Sequence, residues 1–262
     1  MTKIEKMQSI IQHSEHIVFF GGAGVSTESG IPDFRGTGGL YTEDTSDISV
    51  EMILSKQYFE SNPKDFFRFF RERMMFGEVQ PNTAHLKLAE LEQHGKRIDI
   101  ITQNIDGLHQ KAGSRNVIEL HGGSRTSHCI RCHREYLTEQ VIQQEIPVCE
   151  CGGIIKPDMV LYGEAILEET LQKARTALKS ADTLIIAGTS LTVYPAKNMP
   201  KNHFRGKHMI IMNQTPTFMD DRTSMVFREK IGELFSEIKS ECEELPAVPD
   251  TFHIPYKKPY EF

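Results

Sequence analysis

The sequence is short of positive charge. Only 30 lysines and arginines stand against 36 acidic residues, a net charge of −6. A general nucleic-acid scaffold needs a basic surface to neutralise phosphates, so that class is disfavoured. No apolar run follows the start Met1-Thr2-Lys3-Ile4-Glu5-Lys6 that would serve as a signal peptide or a membrane span. The expected setting is therefore the reducing cytoplasm. Cysteine is scarce, at 5. An odd count in a reducing compartment reads as metal binding before a disulfide framework. Internal repeats and low-complexity segments are absent as well. The 262 residues are 39% apolar and 25% charged. That suffices for one folded domain with a sizeable core and a smaller insert.

Short apolar runs alternate with amphipathic stretches. Residues 4–13 predict a helix with Ile4, Met7, Ile10 and Ile11 on one side. Ile17-Val18-Phe19-Phe20 predicts a buried strand that stops at Gly21-Gly22. Residues 83–94 predict a helix capped by Asn82 and closed by Gly95. Strands follow at Ile98–Thr102, Leu184–Gly188 and Met209–Asn213. Leu167, Leu171, Ala174 and Leu178 form a helical stripe, and residues 231–242 predict a closing helix. Such alternation implies an α/β fold: a Rossmann-like parallel sheet with helices on both faces. The rhythm breaks at the clustered cysteines. The expected organisation is a discontinuous Rossmann-like domain (1–122 and 158–245), a small zinc-binding module inserted at 123–157, and a C-terminal extension at 246–262.

Cys129-x-x-Cys132 and Cys149-x-Cys151 are separated by sixteen residues. Two cysteine turns of this kind grip a metal tetrahedrally, as in a zinc ribbon. Four thiolates leave no position for water, so one structural Zn2+ is expected rather than a catalytic one. An insert of this size has little core, and a metal supplies the missing stability. His128 and His133 flank the first pair but are not needed as ligands. Cys242 stands alone and reads as an ordinary thiol.

Gly22-Ala23-Gly24 follows the first strand directly. Small residues there let backbone approach a pyrophosphate, and the start of a following helix favours its charge. Thr27 occupies the place of the third glycine of the dinucleotide fingerprint. No strand ending in an acidic residue follows about twenty positions on, so hydride transfer is not indicated. Gly30-Ile31-Pro32-Asp33-Phe34-Arg35-Gly36 then sets an acid, an aromatic and a guanidinium on one rigid loop. Thr102-Gln103-Asn104-Ile105-Asp106-Gly107, Glu119-Leu120-His121-Gly122, Gly188-Thr189-Ser190-Leu191 and Asn213 all fall at or just beyond predicted strand ends. Open α/β sheets bind ligands at that edge.

Together with Lys156-Pro157-Asp158-Met159-Val160-Leu161-Tyr162-Gly163-Glu164, these motifs resemble the sirtuin family of NAD-dependent protein lysine deacylases. The resemblance runs from about Ile10 to Phe235. It implies NAD as a consumed co-substrate, held by Gly22, Ala23, Gly24, Thr27, Asp33, Phe34 and Arg35. Gln103, Asn104, Ile105 and Asp106 would take its nicotinamide side. Gly188, Thr189, Ser190, Asn213 and Ile231 would take its adenosine half. Val160 would line an acyl-lysine tunnel. Gly163, Glu164 and Val193 would hold the substrate backbone as an added strand.

The resemblance also implies the chemistry. The acyl oxygen attacks the nicotinamide ribose, nicotinamide leaves, and His121 acts as general base on a ribose hydroxyl. His109 reads as structural. The family branch that removes acidic acyl groups carries Tyr-x-x-Arg after an Asn-Pro helix start. Here Asn62-Pro63 is followed by Phe70-Arg71-Glu72-Arg73, so Arg73 is kept and the phenol is lost. Arg73 is a candidate substrate contact, and the plainer reading is a solvent-facing arginine on the helix. Plain acetyl removal is therefore expected, from acyl-lysine proteins or peptides, by a monomer with no nucleic-acid or membrane partner. Two other readings are a mono-ADP-ribosyltransferase on the same scaffold and a zinc-ribbon nucleic-acid module.

Overall fold

Alternate side chains of the first strand go to opposite faces of the main sheet, as strand geometry requires. Ile17 and Phe19 join one core, and Val18 and Phe20 another. The structure is a computed structural model that describes residues 1–36, 38–41, 48–240 and 251. Among these residues the strands run, in chain order, β1 (His16–Gly21), β2 (Arg97–Thr102), β3 (Val117–Glu119), β4 (Thr126–Cys129), β5 (Glu135–Leu137), β6 (Ile155–Pro157), β7 (Thr183–Ala187), β8 (His208–Met212) and β9 (Val226–Phe227). The main sheet has the order β3-β2-β1-β7-β8-β9, with every neighbour parallel. Strand order reverses between β1 and β7, where a crevice must open at the carboxyl ends.

Helices cover both faces. Met7, Ile10 and Ile11 of the Lys3–His13 helix pack with Leu88 and Leu91 of the Thr83–Gln93 helix over one face. Ala174, Ala177 and Leu178 of the Glu168–Ser180 helix cover the other. Full burial of each large apolar side chain here contributes about 1.5–3 kcal/mol before chain entropy is counted. Thr2 and Asn82 cap their helices as reciprocal capping boxes. A third core, with Phe59, Phe66, Phe67, Phe70, Met159 and Leu161, lies beside the crevice. The small antiparallel sheet, β5-β4-β6, carries the cysteine module. No helix among the described residues is long and apolar enough to cross a membrane.

Four expectations need correction. No α-helix follows the glycine turn. Two single 3-10 turns, Ala23–Val25 and Thr27–Ser29, stand there, ended by Gly30 at φ +88°. The helical stripe begins at Leu171, because Leu167 precedes the helix and is 73% exposed. The closing helix spans Ile231–Ser236 and not 231–242. Strands β3 and β9, three and two residues long, extend the sheet beyond the four runs read from the sequence. Cys242 and the C-terminal extension fall outside the described residues, Thr251 apart.

Candidate active site

A cavity of about 800 Å³ opens at the carboxyl edge of the main sheet. Gly22, Ala23 and Gly24 enter it from the end of β1, and Gln103, Asn104, Ile105 and Asp106 from the end of β2. His121 follows β3, Gly188, Thr189 and Ser190 follow β7, and Asn213 follows β8. Thr27, Asp33, Phe34, Arg35, Val160, Gly163, Glu164, Val193 and Ile231 complete the sequence-predicted set. Arg73 is not brought into this lining. It lies in a π-helical turn, Phe70–Met74, whose Phe70 is fully buried against Phe66, rings stacked 6.1 Å apart. Phe70 and Met74 of this turn are buried in the core beside the crevice, and Arg73 between them is half-buried.

The strand ends are cross-linked by amides. Gln103 Nε2 donates to Thr189 Oγ1 at 2.9 Å, joining β2 to β7 across β1. Asn104 Nδ2 donates to the Gly22 carbonyl at 3.1 Å and to Ser26 Oγ at the same distance. Ser26 Oγ in turn donates to Asp106 Oδ2 at 2.7 Å. Asp106 Oδ1 accepts from Leu108 N at 2.9 Å, so the carboxylate is fixed at both oxygens. The backbone at the reversal point is tight. A Cβ on Gly24 would stand 2.8 Å from Gly188 Cα, and Gly188 itself sits at φ +58°. Only glycine lets the two strand ends meet this closely.

His121 is largely buried, and its Nδ1 lies 3.0 Å from the Gln103 carbonyl oxygen. A carbonyl only accepts, so Nδ1 carries the proton and Nε2 presents a lone pair. Burial pushes the His121 pKa below its usual 6.5, against an opposing pull from the Gln103 carbonyl. A neutral, oriented imidazole results. The loop residues divide. Asp33 Oδ1 accepts from Gly36 N at 2.7 Å, which closes its own turn. Arg35 is exposed, 3.5 Å from Glu51 and above the Tyr41 ring. Glu164 is anchored by Leu161 N at 2.8 Å and Lys156 Nζ at 3.0 Å. Behind Asp106, His85 and His109 form a buried ring pair 4.6 Å apart, outside the cleft lining.

Sequence reasoning missed part of the lining. Ser26 stood inside a recognised motif without a role. Gln214, Thr215, Glu229 and Lys230 close the end near Asn213, and nothing in their spacing announced them.

The four cysteine sulfurs lie within 4.8 Å of one another. Cys129 and Cys151 sulfurs lie 3.4 Å apart, and Cys132 and Cys149 sulfurs 3.6 Å apart. A tetrahedral zinc with bonds of about 2.3 Å spaces its sulfurs about 3.8 Å apart, so the set fits that ion. The Tyr136 hydroxyl donates to Cys149 Sγ at 3.1 Å and holds that thiol's pKa down to about 6.

A doubly wound sheet, a polar crevice at its reversal point and a four-thiolate module beside it define an α/β nucleotide-binding enzyme with a structural metal. The comparisons narrow this class. The Sir2 family profile matches residues 22–195. An NAD-dependent protein deacetylase of Clostridium perfringens is 45% identical over 239 residues, covering 90% of this chain and 98% of the relative. A solved Sir2 variant with deacetylated p53 peptide and 3′-O-acetyl ADP ribose aligns with a TM-score of 0.83 at 36% identity, covering 90% of this chain and 97% of that one. A Sir2–p53 peptide–NAD+ structure aligns at 0.80 and 36%, covering 90% and 96%. The chain belongs to the Sir2 family.

Proposed function

We propose that the protein is an NAD-dependent protein lysine deacetylase that releases nicotinamide and moves the acetyl group to ADP-ribose. The observation that carries this reading is the neutral, oriented His121 at the mouth of β3, facing a cleft built from the strand ends. NAD fits the donor set. The close glycine backbones at Gly22, Gly24 and Gly188 suit a pyrophosphate, and Asn213 and Ser190 offer side chains for an adenosine. When bound, NAD supplies a ribose carbon that an acyl oxygen can attack and a nicotinamide that can leave.

The chain's own residues do the rest. Gln103, Asn104, Ile105 and Asp106 orient the nicotinamide side, through the hydrogen bonds that fix their amide and carboxylate groups. Gly22, Ala23, Gly24, Thr27, Asp33, Phe34 and Arg35 close over the middle. Apolar walls at Phe34, Ile105 and Val160 keep water from the reacting carbon, since water would simply hydrolyse it. His121 Nε2 takes a proton from a ribose hydroxyl, which imidazole does well because its free pKa lies near working pH. Gly163, Glu164 and Val193 hold an acyl-lysine peptide as an added strand. Cys129, Cys132, Cys149 and Cys151 hold one structural zinc. The division into 1–122 with 158–245, 123–157 and 246–262 remains our reading of the domains. The protein acts as a monomer in the reducing cytoplasm, where four thiolates persist.

The acyl preference follows from Phe70 and Arg73. Phe70 offers no hydroxyl and is buried, and Arg73 lies off the cleft lining. A tunnel without that donor pair does not compensate a second carboxylate. Mass spectrometry of acetyl- and succinyl-lysine peptides with NAD tests the whole reading. Wild type should convert the acetyl peptide to free lysine with O-acetyl-ADP-ribose, and His121→Ala should not. Adenylate label accumulating on protein, with no lysine deacylated, would support the transferase reading instead.

A further inference from the structure

Asp158 does not line the cleft, yet it connects the cysteine module to the cleft wall. Its carboxylate takes two side-chain hydrogen bonds from β4. Thr126 Oγ1 donates to Oδ2 at 2.5 Å, and His128 Nδ1 lies 2.6 Å from Oδ1. Its backbone N–H donates to the Thr126 carbonyl at 3.0 Å. All three partners belong to the strand that ends in Cys129. The ladder between β4 and β6 stops at the pair Ser127–Pro157. Beyond Pro157, the Asp158 bonds carry the connection. Three hydrogen bonds from one residue to a single strand make this a stiff tie.

On its other side Asp158 meets the catalytic loop. A Cβ on Gly122, at φ +68°, would stand 2.0 Å from the Asp158 carbonyl oxygen. Two residues further on, Val160 N–H donates to the His121 carbonyl at 2.8 Å. A continuous line therefore runs from Cys129 through His128 and Asp158 to Val160 and His121. Packed interiors transmit displacement rather than absorb it. We propose that Asp158 is a positioning residue. It sets the Val160–His121 contact from the register of the cysteine-held strand, and so fixes the gap between the acyl-lysine wall and the imidazole. This rests on the deacetylase reading and adds to it a path by which the metal module acts on the chemistry.

Three variants test it: Asp158→Ala, Asp158→Asn and Thr126→Val. Each is assayed for zinc content, hydrogen exchange at the Val160 amide, and separate KM values for acetyl-lysine peptide and NAD. Asp158→Ala should keep one zinc per chain and exchange Val160 faster, while β1 amides stay protected. Its kcat/KM for peptide should fall roughly ten- to a hundredfold with NAD KM within about twofold, as misplacement by a fraction of an ångström costs. Asp158→Asn should rescue most of this. Its carbonyl still accepts from His128, and its amide can donate to a rotated Thr126 hydroxyl. Thr126→Val removes one of the two side-chain bonds and should shift the same quantities by less; it decides the matter if Asp158→Ala does not fold. Unchanged Val160 exchange and peptide KM would overturn the proposal. Loss of zinc with both KM values moving together would also overturn it, making Asp158 a prop for the metal alone. Wild type inert on every acyl-lysine peptide would sink the deacetylase reading, and the exchange data would still decide the coupling.

Discussion

His121 Nδ1 and the Gln103 carbonyl oxygen stand 3.0 Å apart, so one hydrogen bond both joins two strand ends and chooses the tautomer of the imidazole. Because burial lowers the His121 pKa below 6.5, the imidazole proposed as the base is already neutral at neutral pH. The acid limb of kcat/KM for acetyl peptide should then lie below pH 6.5, with a flat region above it. His121→Ala should lose about 10²- to 10⁴-fold. A rate profile from pH 5 to 9 measures both; a limb centred above 6.5 would contradict the buried, neutral imidazole.

Removing one cysteine should remove the ion. Cys149→Ser is expected to purify without zinc and without peptide turnover, although no group lining the cleft is altered. Elemental analysis beside the peptide assay checks this. Full activity in a zinc-free protein would show the metal to be dispensable.

The His85–His109 pair makes stability depend on acid. Burial lowers His85 from 6.5 to about 4 and drives His109 well below 6.5. Both pKa values are depressed on folding, so the unfolded chain binds protons first as pH falls. The stabilisation is complete above about pH 6.5 and shrinks between 6.5 and about 4, by about 3 kcal/mol for His85 alone. Among the described residues neither His109 ring nitrogen has a hydrogen-bond partner. His109→Phe should therefore be neutral or stabilising at pH 7.5 and should flatten the fall. Melting curves from pH 7.5 to 4.5 decide it; equal slopes in both proteins would count against the pair.

Gly122→Ala should cost roughly 3 kcal/mol or more, because the residue sits at positive φ and its Cβ would overlap the Asp158 carbonyl. Denaturant midpoints report the loss. A variant as stable as wild type would mean that the loop has another low-energy path.

The readable parts of the sequence were those where composition and period agree. Ile17–Phe20 ended by glycine fixed the central strand, and the polar sets at strand ends marked the crevice. Four clustered cysteines marked the metal module. Other features were settled by partners distant in the chain. β9 is two residues long and exists because β8 offers it an edge. The turns after Gly22 are 3-10 rather than α because Gly24 must press against Gly188. Arg73 followed a family pattern; Phe70, three places before it, fills a core with Phe66 and Met74, and Arg73 is outside the cleft lining. Gln214, Glu229 and Lys230 reach the cleft from loops whose composition carries no signal.

The order of the sheet has a consequence for synthesis. The cleft walls come from residues near 22–36, 103–106, 121, 159–166, 188–195 and 213–231. No half of the chain holds a whole site, because β1 is flanked by β2 on one side and β7 on the other. A nascent chain leaving the ribosome thus displays its glycine turn and His121 well before β7 and β8 arrive to roof them. Only when Ile231 has emerged are all the walls present, and the growing polypeptide stays inert toward its co-substrate until then.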